Sequence, residues 1–256
     1  ATEDGDDLAQ IQLFQGLITE GKFQEVEPLL QSYLTDHPKS WKAQYFLGYV
    51  QFRQRRLADS MDTLAKSLVL NVNNAEAHKI LGRVLSIVGR YDLAQKEFER
   101  ALQLNPGSAE LYYNLGRVHA AQDDFHKARR DLEKAVQLDP MYVEAYNALG
   151  FALEALGEDD AASACFHNAI RINEGREGKF DAPYVNLSGY YNRRGNLELA
   201  LLYAEKALGI NPKSDLAYFQ MAKAYRSMQD WGNLAEALEK AIEIRPTSSQ
   251  YHYVLA

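Results

Sequence analysis

The residues that most often carry chemistry are sparse in this sequence, and their spacing does not assemble a reaction centre. Six histidines are scattered along the 256 residues, and none belongs to the HExxH pattern that places two zinc ligands on one helix face. Cys165 is the only cysteine, which excludes an internal disulfide. His167 lies two residues later, and helical residues at that spacing point in different directions, so the pair does not suit a nucleophile and its base. We predict no enzyme activity, no metal site and no cofactor.

The charge of the chain disfavours two large classes of partner. With 35 acidic and 28 basic residues, the net charge is -7, whereas proteins that bind nucleic acids or anionic membranes rely on clustered Lys and Arg. No apolar run approaches the roughly 20 residues of a membrane-spanning helix. We therefore predict a soluble protein without a nucleic-acid partner and without membrane insertion. The sequence begins at Ala1 rather than Met, so a leader could have been removed, and both cytoplasm and periplasm stay open.

Two stretches of the sequence are nearly copies of each other. ALQLNPGSAELYYNLG at residues 101–116 and AVQLDPMYVEAYNALG at residues 135–150 share Ala, Gln, Leu, Pro, Glu, Tyr, Leu and Gly in the same places, 34 residues apart. Self-similarity at such a period is typical of repeat proteins, in which each repeat uses its neighbours as its core. The fifth repeat is longer, with additional residues around 173–180. Seven repeats are predicted to begin near residues 7, 41, 75, 109, 143, 181 and 215.

Each repeat has the pattern of two helices. In the third repeat, apolar residues recur at helical spacing in two runs, which the segment GRYD separates. Gly89 can adopt the left-handed conformation that ends a helix, and Asp92 can cap the helix that follows. Pro106 then stops the second helix, because proline has no amide proton and restricts the residue before it. We therefore predict antiparallel helix pairs.

A fixed set of residue types recurs at the repeat period. In the third repeat a Leu-Gly pair ends at Gly82 in the first helix, and Ala94, Phe98 and Pro106 mark the second helix. We expect Gly82 to face Ala94, so that small faces small, and Phe98 to fill the space beside the next repeat. The pattern resembles that of the tetratricopeptide repeat family over about residues 7–256. The resemblance implies an all-α fold, a right-handed α-solenoid of antiparallel helix pairs.

The two ends of the chain depart from the repeat pattern. Residues 1–6 are acidic and lack apolar side chains, and we predict a disordered tail. Phe14 stands where other repeats have glycine, which suits a terminal repeat that packs on one side only. Pro28 either lies inside the second helix of the first repeat, and kinks it, or lies near its start. Residues 248–256 match the beginning of an eighth repeat and are predicted to form a capping helix or the start of a longer array.

The recognition surface is expected on the side of each first helix that the core does not use. The resemblance implies that this stripe lines a concave groove. Its mixture of amide, cationic and aromatic side chains suits an extended peptide, because amides bind the peptide backbone, cations bind carboxylates, and aromatic rings hold apolar side chains. The predicted partner-binding residues are Lys42, Tyr45, Tyr49, Phe52, Lys79, Arg83, Tyr113, Asn114, Arg117, Asn147, Phe151, Asn186, Asn192, Arg193, Phe219, Lys223 and Arg226.

The sequence matches the carboxylate clamp of chaperone-binding family members only in part. That clamp uses a Lys and an Asn in one repeat, an Asn in the next, and a Lys and an Arg in the third. Lys79 and Asn114 match the pattern, but Arg83 replaces its first Asn. Glu144 and Ala148 replace its final Lys and Arg. A chaperone-tail clamp is therefore not predicted.

These observations predict a non-catalytic scaffold that binds a peptide segment or a partner protein in its groove. Two alternatives stay open. The chain could be the substrate-recruiting arm of a larger enzyme such as a glycosyltransferase, or an assembly factor of the bacterial envelope that serves pili or secretion. Tyr251 and Tyr253 near the C-terminal end could in addition form an adhesive edge, which would allow end-to-end self-association.

Overall fold

The protein, described by a computed structural model over residues 8–251, is helical in that range and contains no strand there. Within this range fourteen α-helices follow one another in pairs, and a further helix begins at residue 249. The prediction of an all-α repeat fold of helix pairs is confirmed. The predicted tail at residues 1–6, and residues 252–256 of the predicted final helix, lie outside the described residues.

The chain divides into two compact units. The N-terminal unit ends at Leu138 and contains α1 (Leu8–Thr19), α2 (Phe23–Asp36), α3 (Trp41–Arg53), α4 (Leu57–Leu70), α5 (Ala75–Ile87), α6 (Tyr91–Leu104), α7 (Ala109–Ala121) and α8 (Phe125–Leu138). The C-terminal unit begins at Asp139 and contains α9 (Val143–Ala155), α10 (Asp159–Glu174), α11 (Ala182–Arg193), α12 (Leu197–Ile210), α13 (Asp215–Met228) and α14 (Trp231–Ile244). The odd-numbered helices are the first helices of the repeats, and the even-numbered ones are the second helices. One continuous array across both units stays a prediction.

A residue with positive φ joins the two helices of each pair. Gly89 has a φ of +77°, as its sequence context predicts. Three of these turns use a residue other than glycine, with φ values of +65° at Arg55, +59° at Asp123 and +61° at Gln229. A left-handed residue reverses the chain within a short turn, so the second helix returns antiparallel to the first.

The residue predicted to cap α6 does not do so. The helix begins at Tyr91, and its N-cap residue is Arg90, whose side chain makes no capping hydrogen bond. Asp92 therefore lies within the first turn, where its carboxylate accepts a hydrogen bond from Nε2 of Gln122 at 2.7 Å. Negative charge in the first turn still favours the helix, because it lies at the positive end of the helix dipole.

In several pairs a glycine of the first helix leaves room for a bulky side chain of the second helix. A Cβ atom on Gly82 would lie 2.8 Å from Cε1 of Phe98, and one on Gly116 would lie 2.6 Å from Cγ of Leu132. The bulky residue one turn after Ala94 therefore covers the glycine, whereas the sequence led us to expect Ala94 itself. Gly82 and Gly116 do not have positive φ, so backbone conformation does not require glycine there. Glycine is required because a Cβ atom has no room.

The additional residues of the fifth repeat lengthen its second helix and the loop that follows. α10 has 16 residues, two more than α8. Asn173 is fully buried and fixes the loop, because its Nδ2 donates to the carbonyl oxygen of Phe180 at 2.8 Å while its Oδ1 accepts from the Phe180 amide at 3.3 Å. The next first helix then begins at Ala182.

Two predictions about the ends of the chain concern the place of Pro28 in α2 and the exposure of Tyr251. Pro28 lies inside α2, which begins five residues earlier, at Phe23. Tyr251 is 2% exposed, its ring centroid lies 4.9 Å from that of Phe219, and its hydroxyl donates to Oδ2 of Asp215 at 2.6 Å. The expectation that Tyr251 forms an adhesive edge is therefore wrong, because its side chain is used within the C-terminal unit. Tyr253 lies outside the described residues.

Candidate functional site

The first helices of successive repeats lie side by side within each unit. In the N-terminal unit α5 contacts both α3 and α7, and in the C-terminal unit α11 contacts both α9 and α13. Each first helix also packs on its own second helix, so the opposite side presents one row of side chains in each unit. We name this row the first-helix face. All the residues predicted to bind a partner lie on first helices.

α3 contributes aromatic residues to the first-helix face. The hydroxyl of Tyr49 accepts a hydrogen bond from Arg53 at 2.8 Å. Nζ of Lys42 lies 5.3 Å from the ring centroid of Trp41. Tyr45 is half-buried, and this burial raises the pKa of its hydroxyl well above the usual value. Like an ordinary tyrosine, Tyr45 is protonated at neutral pH and can donate a hydrogen bond.

The cations of α5 are already paired within the N-terminal unit. Nζ of Lys79 lies 2.8 Å from a carboxylate oxygen of Glu76 and 2.9 Å from one of Glu110. The guanidinium of Arg83 lies 3.6 Å from Glu110 and 5.0 Å from the ring centroid of Phe52. Phe52 is only 8% exposed, so it supports Arg83 and is not available to a partner as the sequence led us to expect.

A cavity of about 230 Å³ opens between α5 and α7. Its polar lining consists of Arg83, Ser86, Asn114 and Arg117, and Ile87 and Val118 belong to its apolar lining. Nδ2 of Asn114 donates to the carbonyl oxygen of Glu110 at 2.8 Å within α7, which leaves Oδ1 as the acceptor of that amide. The guanidinium of Arg117 lies 5.5 Å from the Tyr113 ring centroid. The cavity therefore combines cationic donors, an amide acceptor and apolar surface.

In the C-terminal unit, Arg193 is held by a neighbouring repeat. Its Nε and one terminal nitrogen each donate to an oxygen of Glu154 at 2.7 Å, and its guanidinium lies 5.6 Å from the ring centroid of Phe151. Phe151 is 40% exposed and Asn186 is half-buried. Asn147 is only 7% exposed, so its amide is not accessible to a partner, contrary to expectation.

The amide of Asn192 also serves the fold. Its Nδ2 donates to the backbone carbonyl of Gln220 at 2.9 Å and to the side-chain carbonyl of the same residue at 3.2 Å. Its Oδ1 is buried without a hydrogen-bond partner in the described part of the chain. Asn192 therefore ties α11 to α13, and its predicted role in binding a peptide backbone is wrong for this conformation.

Two further cations of the C-terminal unit's first-helix face, Lys223 and Arg226, lie on α13. Phe219 is 3% exposed, and Nζ of Lys223 lies 4.6 Å above its ring centroid. Phe219 is thus a buried support rather than a contact residue, which corrects the expectation from sequence. Burial, followed by the nearby charges of Arg193 and Arg226, lowers the pKa of Lys223. Arg226 is exposed one turn further along the helix.

Two buried histidines pair with carboxylates outside the first-helix face. Nδ1 of His78 lies 2.6 Å from Oε2 of Glu97, and its Nε2 lies 2.9 Å from the carbonyl oxygen of Val72. Burial alone would lower the pKa of His78, but these two hydrogen bonds and the charge of Glu97 outweigh it, so the pKa is raised. Nδ1 of His119 lies 2.7 Å from Oδ2 of Asp131, and both residues are buried. These pairs connect the helices of a repeat and do not open onto the cavity.

Periodicity did not point to every residue that lines the cavity. Tyr91 belongs to α6, a second helix, yet it lines the space between α5 and α7 together with first-helix residues. The residue pattern of one helix cannot show that a residue of another helix lines the same cavity. A bulky residue at the start of the second helix, here directly after the turn at Gly89 and Arg90, was the available signal.

Comparison with known proteins identifies the repeat. Models of the tetratricopeptide repeat match residues 17–84, 73–140, 116–175, 182–214 and 216–248. The chain belongs to the tetratricopeptide repeat family. Arrays of this family are typically non-catalytic modules that bind proteins or peptides, and the chain is accordingly a protein-interaction module in general terms. The search of curated proteins found no match.

Solved structures share the tetratricopeptide fold of this chain. A tetratricopeptide repeat protein from Parabacteroides merdae has a TM-score of 0.79 at 17% identity, over 96% of each chain. A chain of the APC/C hetero-tetramer Cut9-Hcn1 has a TM-score of 0.77 at 16% identity, over 99% of this chain and 49% of that one. The present chain thus spans about half the length of that relative. MamA has a TM-score of 0.59 at 27% identity, over 66% of this chain and 96% of MamA.

None of the helices within residues 8–251 combines the length and the apolarity that crossing a bilayer requires.

Proposed function

We propose that this tetratricopeptide repeat chain is a non-catalytic module that captures an extended peptide segment of a partner protein on the first-helix face of its N-terminal unit. The observation that carries the proposal is the cavity between α5 and α7. A substrate-recruiting arm of a larger enzyme would use the same surface in the same way.

The cavity offers complementary groups to a peptide backbone. Arg117 has five N–H donors and no carboxylate partner among the ion pairs of the described residues, so it can donate to peptide carbonyls or to a carboxylate. Oδ1 of Asn114 can accept from a peptide amide. Arg83 is partly neutralised by Glu110 and contributes less free charge. Ile87 and Val118 can contact an apolar side chain.

A phage-displayed library of random peptides, selected on the immobilised chain, tests this proposal. Affinities of the enriched peptides are then measured for the unsubstituted chain and for Arg117→Ala and Asn114→Ala. Loss of one charge-assisted hydrogen bond costs about 1.5–3 kcal/mol, so Arg117→Ala should weaken binding by about tenfold or more. Lys96→Ala is the matched control, because it removes one positive charge from an exposed site on α6, a second helix.

The proposal predicts which of the three variants lose affinity for the enriched peptides. Reduced affinity of Arg117→Ala and Asn114→Ala, with Lys96→Ala unchanged, supports the proposal. Peptides that bind all variants equally, or a selection that enriches no peptide, would show that this cavity is not a peptide site.

A further inference from the structure

The two units differ in how their first-helix faces balance charge. In the N-terminal unit, Lys79 contacts two carboxylates, and one of these, on Glu110, also lies near Arg83. In the C-terminal unit, Lys223 and Arg226 form no ion pair with any residue within 8–251. Carboxylates therefore compensate Lys79 and Arg83 on α5, whereas Lys223 and Arg226 on α13 have no such compensation.

Three cations converge on the C-terminal unit's face. Lys223 and Arg226 are three residues apart on α13 and so share one side of that helix. Arg193 comes from α11, and the hydrogen bond at 2.9 Å from the adjacent Asn192 to the Gln220 carbonyl joins the two helices one turn before Lys223. Glu154 balances Arg193 only, which leaves two positive charges without an anion.

The position of Lys223 is set by packing. Its ammonium lies over the buried ring of Phe219 at 4.6 Å, and its side chain is half-buried. The pKa of Lys223 is lowered, first by burial and then by the like charges of Arg193 and Arg226. An anion bound beside the ammonium would reverse these effects, because an opposite charge favours the protonated form.

We propose that Lys223 and Arg226, with Arg193 beside them, form a carboxylate-binding site for an acidic peptide segment of a partner protein. The ammonium and the guanidinium would each donate to the carboxylate. Phe151, which is 40% exposed next to Arg193, would contact an apolar side chain adjacent to the acidic residue. The site does not depend on the proposed function of the N-terminal cavity, because all of its residues belong to the C-terminal unit.

The chemistry of the site favours a peptide over a polyanion. Nucleic acids need many clustered cations, whereas this site has three, one of them paired, on a chain with a net charge of -7. The site also differs from the chaperone-tail clamp. Lys223 lies eight residues into the seventh repeat, as Arg83 does in the third, and this is a position where that clamp has an Asn rather than a cation.

The test uses the full chain with the N-terminal cavity disabled by Arg117→Ala, so that the two proposals fail separately. A phage-displayed random-peptide library is selected on this chain at low ionic strength, and enriched peptides are synthesised with an amidated C-terminus. Each peptide is made in three forms: with its internal Glu or Asp, with the amide analogue instead, and with the amide analogue plus a free C-terminal carboxylate. The first and third forms distinguish a side-chain carboxylate from a terminal one, and the second is the neutral baseline.

The decisive variant is Lys223→Met, which keeps the aliphatic stem and removes the charge. Lys206→Met is the matched control, because Lys206 lies in the same unit and also sits over an aromatic ring, that of Tyr203, at 5.0 Å, but on α12, a second helix. We expect acidic peptides to be enriched and to bind Lys223→Met about tenfold or more weakly, with Lys206→Met unchanged. Arg226→Met should weaken the same peptides and serves as an independent variant if Lys223→Met lowers stability.

Three results would overturn the proposal. The selection could yield no acidic peptides, the acidic peptides could bind Lys223→Met and Lys206→Met equally well, or the neutral form could bind as tightly as the acidic form. A fourth result, displacement of the acidic peptide by a single-stranded oligonucleotide at lower concentration than by free acidic peptide, would assign the cations to a nucleic-acid partner instead.

Discussion

Replacing Gly116 with alanine tests whether the absence of a side chain at this position stabilises the packing of α7 on α8. The added Cβ would lie 2.6 Å from Cγ of Leu132 and 3.2 Å from the carbonyl oxygen of Ala128. Leu132 is fully buried, so neither contact can be relieved by rotating the end of a free side chain. Crowding of this kind costs about 1–3 kcal/mol, while alanine gains about 1 kcal/mol over glycine in a helix interior.

Gly16 provides a matched control in the same unit. It lies within α1, another first helix, and a Cβ atom there would meet nothing within 4 Å. Gly16→Ala should therefore raise the free energy of unfolding by up to about 1 kcal/mol. The difference between the two variants removes the shared helix-propensity contribution, and we expect Gly116→Ala to be less stable than Gly16→Ala by about 1–3 kcal/mol.

Urea denaturation followed by far-UV circular dichroism measures this difference. The variants are compared by both midpoint and slope, because repeat proteins can unfold in more than one step. Equal stabilisation by the two substitutions would refute the close approach at Gly116. A double variant with Leu132→Ala provides a second check, since removing the crowded side chain should make Gly116→Ala less harmful than it is alone.

Two further predictions concern buried polar pairs. Tyr251→Phe should destabilise the C-terminal unit by about 1.5–3 kcal/mol in the same assay, because the hydroxyl donates to the buried carboxylate of Asp215 at 2.6 Å; an unchanged midpoint would contradict this contact. The pKa of His78 is raised in the folded chain, so its stabilising contribution is complete below the ordinary value of 6.5 and is lost as the pH rises through the folded pKa. The free energy of unfolding should therefore fall over that range, and Glu97→Gln should flatten the fall; a pH dependence that survives this substitution would assign it to other groups.

The repeat period was sufficient to predict the helix pairs and the side of each first helix that faces away from the core. Helical spacing decides these features, because the second helix covers the same positions in every repeat. The turn at Gly89 was equally predictable, since glycine adopts positive φ without strain. Asp123 adopts the same conformation, and aspartate tolerates positive φ better than most residues. Arg55 and Gln229 adopt it as well, and nothing in their residue types indicated it. Their position in the repeat was the only signal.

Periodicity did not predict which side chains of the first-helix face are exposed to a partner. Phe52 and Phe219 occupy the expected side of their helices, yet Arg83 and Lys223 lie over their rings. A long cationic side chain covers an aromatic ring when the two meet across or along helices, and this depends on rotamers that residue spacing does not fix. Phe52 and Phe219 also belong to the apolar cores of their units, and residue spacing along one helix did not show this.

The two aromatic-cation contacts differ in whether a carboxylate lies near the cation. Arg83 lies over Phe52 within reach of Glu110, so its charge is already partly compensated. Lys223 lies over Phe219 with Arg193 and Arg226 as its charged neighbours, and no carboxylate contributes to its pKa. Holding like charges together in a half-buried place is unfavourable unless an anion joins them. The Phe219 ring is therefore too buried to contact a partner, but it supports Lys223. This support places the Lys223 ammonium at the site that we propose for an acidic peptide.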